Sequence, residues 1–238
     1  MYKTKLGKLI YNTSYLQGNF KLRSGQISHE YFDKYLFESD PYILSEIAEH
    51  LQRLIPSDTE VLAGLEMGGI PIATALSLKT GIPVIFVRKK NKEYGTCKFA
   101  EGIDIKDKRV CVIEDVVTTG GQIILSTNDL RGIGAKVENV LCVIERSVKG
   151  RDNLKDNGLE LSPLFTMDEL KKEKEGTILW LMQEVSHYES ALASCAIEGN
   201  EFADKHLKVV KDMDLVDKYK YLKKVLDDLY KKYDIEKQ

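Results

Sequence analysis

Apolar residues follow two different spacings along most of the chain. Short runs of consecutive apolar residues are typical of buried strands, and they occur at 61–65, 84–88, 109–113 and 137–146. Between these runs, apolar residues recur every three or four positions, which predicts helices over 41–55, 70–81 and 122–134. Asp40 and Pro41 are the expected N-cap and first-turn residue of the first helix. Strands that alternate with helices predict an α/β fold with a doubly wound, mainly parallel sheet.

The composition changes after Pro163. No proline or arginine follows this residue, and only two glycines do, amid many lysines, aspartates and glutamates. Apolar residues keep a helical spacing between Ile178 and Leu192 and again between Val216 and Tyr233. We therefore expect a C-terminal extension of two or three helices, which serves packing or oligomerisation rather than a second enzyme activity.

Charge and cysteine content exclude several classes of protein. The formal net charge of −2 over 238 residues gives no sign of a nucleic-acid partner, so affinity for anions must be local. We find no signal peptide at the N-terminus and no apolar run near the about 18 residues of a membrane span. The cysteines form no CxxC pair, and Cys111 and Cys142 lie in apolar runs as expected of core residues. We expect a cytoplasmic protein without a membrane partner.

A glycine-rich turn follows the third apolar run, in the stretch VCVIEDVVTTGGQI (110–123). Gly120 and Gly121 allow the backbone to bend so that several N–H groups converge, and the following helix adds the positive potential of its N-terminus. The hydroxyls of Thr118 and Thr119 can donate two more hydrogen bonds. The segment from Thr118 to Gln122 is therefore a candidate phosphate site, although it matches neither GxxxxGK[ST] nor GxGxxG.

Two acids, Glu114 and Asp115, precede this turn. Because carboxylates repel phosphate, they should contact another part of the same ligand. The 2′ and 3′ hydroxyls of a ribose 5-phosphate are suitable partners, either directly or through a bound Mg²⁺. The histidines and cysteines show no metal-ligand spacing, so we expect no metal held mainly by protein side chains.

This combination resembles the 5-phosphoribosyl 1-pyrophosphate (PRPP) motif of the type I phosphoribosyltransferases. The resemblance implies the fold of that family, with the ribose on Glu114 and Asp115. It also implies the 5′-phosphate on the turn that follows, made of Val116, Val117, Thr118, Thr119, Gly120, Gly121 and Gln122. In the stretch GLEMGGIPIA, Gly68 and Gly69 match the family's loop under the pyrophosphate, where glycine allows close backbone approach.

The segment GNFKLRSGQISHEYFDKY (18–35) resembles the N-terminal segment of the orotate phosphoribosyltransferase family. This resemblance implies that Arg23 lies near the pyrophosphate or the base, and that Tyr31 and Phe32 pack on the base. Arg146 matches the arginine that binds the orotate carboxylate in this family. The implied organisation is an N-terminal hood over the base site (1–40), a PRPP-binding core (41–170) and a helical extension (171–238).

The polar stretch VRKKNKEYGT (87–96) resembles the mobile catalytic loop of the same family. There Arg88 and Lys89 match a basic pair that binds pyrophosphate, and Lys92 matches a lysine that reaches across a homodimer interface. A basic loop of this kind can close over the pyrophosphate and neutralise its charge as it leaves. The implied reaction is Mg²⁺-dependent transfer of phosphoribose from PRPP to orotate.

Two departures from the family pattern leave alternatives open. Many orotate enzymes have a histidine where this chain has Tyr94, and a lysine where it has Gly68. The resemblance covers about residues 6–170 and does not account for the extension. The alternatives are a type I phosphoribosyltransferase for another base such as a purine, a non-catalytic PRPP-binding regulator, and a scaffold whose C-terminal extension is the functional part.

Overall fold

The chain divides into two units, Met1–Glu173 and Lys174–Gln238. The computed structural model describes residues 1–21, 25–89, 99–197 and 201–233. The strands are β1 (Tyr15–Lys21), β2 (Ile27–Phe32), β3 (Val61–Leu65), β4 (Val84–Val87), β5 (Ala100–Glu101), β6 (Arg109–Val117), β7 (Lys136–Glu145) and β8 (Glu160–Thr166). The helices are α1 (Lys3–Ser14), α2 (Lys34–Ser39), α3 (Pro41–Leu51), α4 (Gly69–Thr80), α5 (Gly121–Gly132), α6 (Val148–Lys155), α7 (Met167–Ile197), α8 (Glu201–Val210) and α9 (Leu215–Tyr233).

Within the described ranges, the first unit is built around a sheet with the strand order β5-β4-β3-β6-β7-β8. Neighbouring strands run parallel, except that β5 runs antiparallel to β4 at one edge. From β3 the chain moves outward to β4, and later returns to the other side of β3 as β6. This reversal of strand order creates a crevice at the carboxyl ends of β3 and β6, where ligands bind in open α/β sheets. The predicted doubly wound, mainly parallel sheet is confirmed.

The predicted helices and core strands are all present, with small shifts at their ends. The helix predicted over 41–55 ends as an α-helix at Leu51 and continues as a 3₁₀ turn, Gln52–Leu54. Its predicted N-cap is confirmed, because Asp40 Oδ1 accepts hydrogen bonds from the N–H groups of Tyr42 and Ile43 at 2.9 and 3.0 Å. A cap of this kind stabilises a helix by about 1 kcal/mol.

Each face of the sheet is covered by its own apolar core. Successive side chains of a strand point to opposite faces. On β6, Cys111 and Ile113 therefore pack with the side chains of α1, α2, α3 and α4, whereas Val110 and Val112 pack on the other side. Cys142 lies in the second core, so the prediction that both cysteines are core residues is confirmed. Burial on both faces explains why these strands read as continuous apolar runs.

The N-terminal segment forms a helix and a two-stranded antiparallel hairpin before it reaches the sheet. Strands β1 and β2 pair from Tyr15 opposite Phe32 to Lys21 opposite Ile27. The N–H of Asp33 then donates to Ser14 O at 2.8 Å, which ties the end of the hairpin to its start. The side chain of Asp33 caps α2 by accepting from the N–H of Tyr35 at 3.1 Å. The hairpin therefore leads directly into α2 with a fixed direction.

In the second unit, the described residues belong to α7, α8 and α9 and the turns between them. The predicted helical extension is confirmed. Its apolar core is small and consists of Val185, Leu192, Ala203, Val210 and Leu222. No helix in the described ranges is both long enough and apolar enough to cross a membrane.

Candidate active site

Several of the residues predicted to bind ligand lie at the carboxyl ends of three neighbouring strands. Gly68 and Gly69 follow β3, the glycine-rich turn Thr118–Gln122 (the phosphate turn) follows β6, and Arg146 follows β7. One boundary differs from the prediction, because β6 does not end at Ile113 but continues to Val117. The strand is longer because its pairing with β7 persists as far as Val117 opposite Glu145. Glu114 and Asp115 are therefore residues of a strand rather than of the turn that follows it.

The phosphate turn has the geometry that its glycines suggested. Gly120 adopts the left-handed conformation, with φ 74°, immediately before α5 begins at Gly121. The first N–H groups of a helix have no partner within it, so those of Gly121, Gln122 and Ile123 are available to an anion. The side chains of Thr118 and Thr119 are exposed beside them. This arrangement suits a phosphate group.

Helix α6 packs against the backbone of this turn, a contact that the sequence did not indicate. A Cβ atom at Gly150 would lie 2.8 Å from Thr118 O, so the two backbones touch. The side-chain amide of Asn153 donates to Thr119 O at 3.0 Å. The buried Glu145 carboxylate accepts from Nε of Arg151 at 2.9 Å, which fixes α6 to the end of β7. These contacts of α6 hold the turn in place.

The two acids of the motif have different surroundings. Glu114 is partly buried, whereas only 1% of the Asp115 side chain is exposed. The Asp115 carboxylate accepts hydrogen bonds from the ammonium of Lys34 and from the N–H of Val116. The carboxyl of Glu38, a buried residue of α2, lies beside it, because a Cβ atom at Gly68 would approach both groups. The prediction treated both acids alike, but the structure leaves only Glu114 accessible.

The protonation of this cluster follows from burial and from the Lys34 ammonium. Burial favours neutral Asp115, but hydrogen bonds with Glu114, Lys34 and Glu38 outweigh it and hold the Asp115 pKa below its usual value. Burial, followed by the charge of Asp115, raises the pKa of Glu38 to about 9 and the pKa of Glu114 well above its usual range. With Glu38 protonated at neutral pH and Asp115 paired with the Lys34 ammonium, the cluster has less negative charge than its carboxyls would have alone, which reduces repulsion of a phosphorylated ligand.

This protonation predicts a pH dependence of stability. Glu38 retains its proton in the folded chain and loses it on unfolding at every pH between its usual pKa and about 9. The folded state then binds more protons than the unfolded state, so stability falls as pH rises through this window. We expect the melting temperature of the wild type to fall by several degrees relative to that of Glu38→Gln between pH 6 and pH 8.5. Equal pH profiles for the two proteins would contradict the prediction.

The loop after β3 approaches these acids closely enough to require glycine. A Cβ atom at Gly68 would overlap the Oδ2 atom of Asp115 and lie 2.9 Å from Oε1 of Glu38. At Gly69 it would overlap the backbone carbonyl of Ile113. Gly68 and Gly69 thus bring the loop against the end of β6, and their place under the pyrophosphate stays a prediction.

A cavity of about 390 Å³ lies beside the hairpin and contains the residues predicted to bind the base. Tyr31, Phe32 and Arg146 line it together with Tyr15 and Met167, among others. Tyr31 stacks on Phe20 with a distance of 5.4 Å between ring centroids. The backbone N–H of Arg146 donates to Val117 O at 2.8 Å, so the arginine begins next to the phosphate turn. Aromatic rings and a guanidinium in one cavity suit a flat, anionic ligand.

The predicted pyrophosphate-binding basic pair lies directly after β4. The N–H of Arg88 donates to Phe99 O at 3.0 Å, and its Nε atom is 3.9 Å from a carboxylate oxygen of Glu101. The N–H of Lys89 donates to Glu66 Oε2 at 3.0 Å. This bond joins the start of the basic loop to the loop that contains Gly68. Arg23, Lys92 and Tyr94 lie outside the described residues.

A magnesium ion would meet oxygen donors at this edge of the sheet. Glu114 and Asp115 provide carboxyl oxygens, which Mg²⁺ prefers as ligands, and Glu114 is the accessible one. Among the residues that the structure describes, no three histidine, cysteine, aspartate or glutamate side chains are grouped to hold a metal. The donor set fits a metal whose other ligands are phosphate oxygens and water.

The chain is similar to known phosphoribosyltransferases over most of its first unit. The phosphoribosyl transferase domain family matches residues 38–167. The chain is similar to an orotate phosphoribosyltransferase of Nocardioides sp., at 53% identity over 67% of this chain and 89% of the relative. It is also similar to that of Methanocella arvoryzae, at 40% identity over 70% of this chain and 96% of the relative.

The chain is also similar to a solved structure of an orotate phosphoribosyltransferase. The Mycobacterium tuberculosis orotate phosphoribosyltransferase, solved with Fe(III) dicitrate, superposes with a TM-score of 0.65 at 26% identity. The match covers 71% of this chain and 98% of that one. The chain therefore belongs to the phosphoribosyltransferase family and, within it, to the orotate phosphoribosyltransferases.

Proposed function

We propose that this protein transfers phosphoribose from PRPP to orotate in a Mg²⁺-dependent reaction, giving orotidine 5′-monophosphate and pyrophosphate. The cavity that joins Tyr31, Phe32 and Arg146 next to the phosphate turn is the observation that carries the proposal. Orotate is a planar base with a carboxylate, so stacking rings and a guanidinium would meet both of its features. The names of the curated relatives support the same reaction.

Different groups of residues would bind the three parts of PRPP. The segment Thr118–Gln122 would hold the 5′-phosphate, and Glu114, with Asp115 behind it, would orient the ribose hydroxyls. Arg88, Lys89 and Lys92 would hold the pyrophosphate over the backbone of the loop that contains Gly68. Held in this way, C1 of the ribose faces the base nitrogen in line with the departing oxygen.

The chemistry needs no nucleophile from the protein. The bond between C1 and the pyrophosphate oxygen lengthens first, and the oxygen takes the electron pair as the base nitrogen closes on C1. Positive side chains aimed at the pyrophosphate stabilise the charge that develops there. When bound, Mg²⁺ would supply further positive charge to the same oxygens.

We also propose a homodimer in the cytoplasm. The family's mobile loop completes the site of the neighbouring protomer, and Lys92 matches the lysine of that loop. Cys111 and Cys142 are buried and free, as is usual for thiols in a reducing compartment. The N-terminal hood, the core and the C-terminal extension remain our proposed division of the chain.

The test is pyrophosphate release from PRPP and Mg²⁺ with orotate, hypoxanthine, guanine, adenine or uracil in separate reactions. Release with orotate alone is the expected result. Release with a purine would keep the PRPP site but refute Tyr31, Phe32 and Arg146 as orotate contacts. Binding of PRPP without release for any base would favour a regulator.

Arg146 provides a test of the base site alone. Its exposed guanidinium is assigned to the orotate carboxylate, and a charge-assisted pair of this kind is worth about 2 kcal/mol. We expect Arg146→Met to raise KM for orotate by about 30-fold, the equivalent of that energy, while KM for PRPP changes little. Arg53→Met is the control, since Arg53 is an exposed arginine paired with Glu49 on α3. An unchanged KM for orotate in Arg146→Met would refute the assignment.

A further inference from the structure

Helix α2 brings two side chains to the buried acid of the PRPP motif. Lys34 and Glu38 are four residues apart and so share one face of the helix. Lys34 donates to Asp115 Oδ2 across 81 positions of sequence, and the buried Glu38 carboxyl lies beside the same carboxylate, with both next to the backbone of Gly68. Lys34 precedes the region matched by the family model, and Glu38 is the first residue of that region.

A buried carboxylate needs such partners to keep both its charge and its orientation. An unpaired charge in the protein interior is costly, and a carboxylate with fixed donors is held in one rotamer. In the described part of the chain, no N–H or hydroxyl group donates to the buried Oε1 atom of Glu38. Among the described residues, the Glu38 carboxyl therefore does not form an ion pair through Oε1. This oxygen lies beside Asp115 and Gly68 instead.

The orientation of Asp115 sets the groups that face the ligand. The N–H of Asp115 donates to Glu114 Oε1 at 3.1 Å, and its carboxylate accepts from the N–H of Val116. Asp115 is thus hydrogen-bonded both to Glu114, the accessible acid, and to the backbone that leads into the phosphate turn. A carboxylate has about four acceptor positions, so these bonds do not exhaust it.

We propose that Lys34 and Glu38 are positioning residues, which hold Asp115 and, through it, Glu114 and the start of the phosphate turn in the geometry that receives PRPP. The inference rests on the proposed function. The main effect of losing either side chain is therefore on PRPP binding, with smaller effects on orotate binding and on turnover.

The test compares variants that keep or remove the donor to Asp115. Lys34→Met and Glu38→Met remove it at similar side-chain volume, whereas Lys34→Arg and Glu38→Gln keep it. Lys79→Met is the matched control, because Lys79 pairs with Glu49 and its side chain is 33% exposed, against 32% for Lys34. For each protein we would measure kcat, both KM values, the melting temperature, and Kd for PRPP by calorimetry.

We expect Lys34→Met and Glu38→Met to raise KM and Kd for PRPP by about tenfold, with kcat and KM for orotate changed less than about threefold. Lys34→Arg and Glu38→Gln should recover PRPP affinity, and Lys79→Met should match the wild type. PRPP affinity within about twofold of wild type in both methionine variants would overturn the inference, as would a loss of kcat alone.

Two further results separate the possible failures. If Lys34→Met does not fold, the comparison of PRPP affinity between Glu38→Met and Glu38→Gln tests the inference. At neutral pH neither of these substitutions removes a charge. If the wild type releases no pyrophosphate, the proposed function fails, and Kd for PRPP in the variants still decides whether Lys34 and Glu38 position its site.

Discussion

Replacing Gly68 by alanine should reduce kcat/KM for PRPP by about 100-fold or more. The added methyl group would occupy the position of Asp115 Oδ2 and crowd Glu38, so either the acid or the loop after β3 must move. A displacement of about 1 Å at a reacting centre can cost about 100-fold in rate. Steady-state pyrophosphate release over a range of PRPP concentrations measures the effect.

A second glycine gives the control for this variant. Gly132 ends α5, and a Cβ atom there would meet no other atom within 4 Å. Gly132→Ala should therefore keep the activity of the wild type. Circular dichroism and the melting temperature would show whether Gly68→Ala is folded. A folded Gly68→Ala variant with normal activity would mean that Asp115 need not occupy its present position.

Replacing Lys92 by alanine should depress kcat by about 100-fold, far more than it weakens PRPP binding. A charge that reaches the pyrophosphate as it departs acts on the transition state rather than on the bound substrate, and losing one such group costs about 100-fold or more. Single-turnover kinetics with PRPP and orotate would separate the two effects. An unchanged kcat would refute the role assigned to Lys92.

The same variant tests the proposed homodimer. Lys90→Ala is the control for Lys92→Ala, because Lys90 is a neighbouring basic residue without an assigned role. If Lys92 completes the partner's site, mixing Lys92→Ala with Gly68→Ala should restore activity, since one site of the mixed dimer then has both an intact loop and an intact Gly68. Mixtures no more active than their components would show that Lys92 serves its own protomer.

Much of the fold could be predicted because buried parallel strands leave a clear pattern. The run at 61–65 is fully buried, and its ends coincide with those of β3. The apolar run that predicts β6 ends at Ile113 because Glu114 and Asp115 interrupt it, although pairing with β7 continues through them. Strand pairing satisfies the backbone whatever the side chain, so a polar residue does not end a strand.

The surroundings of the site could not be predicted to the same extent. The turn at Thr118–Gln122 is local, and its glycines reveal it. Lys34 and Glu38 contact an acid far away in sequence, and nothing in their own segment shows which face of α2 meets the sheet. Gly150 likewise reads as an ordinary helix residue, because its contact with the phosphate turn exists only after folding.

The hairpin joins directly to α2, and this has a consequence for exchanging substrate specificity between enzymes. Phe32 lines the cavity that we propose for the base, and two residues later Lys34 contacts Asp115, which we propose supports the ribose site. A transplant of a foreign N-terminal segment, made to change the accepted base, would remove Lys34 and Glu38 along with the cavity wall. A successful chimera must therefore carry this pair of side chains across, or import the donor's own partner for Asp115.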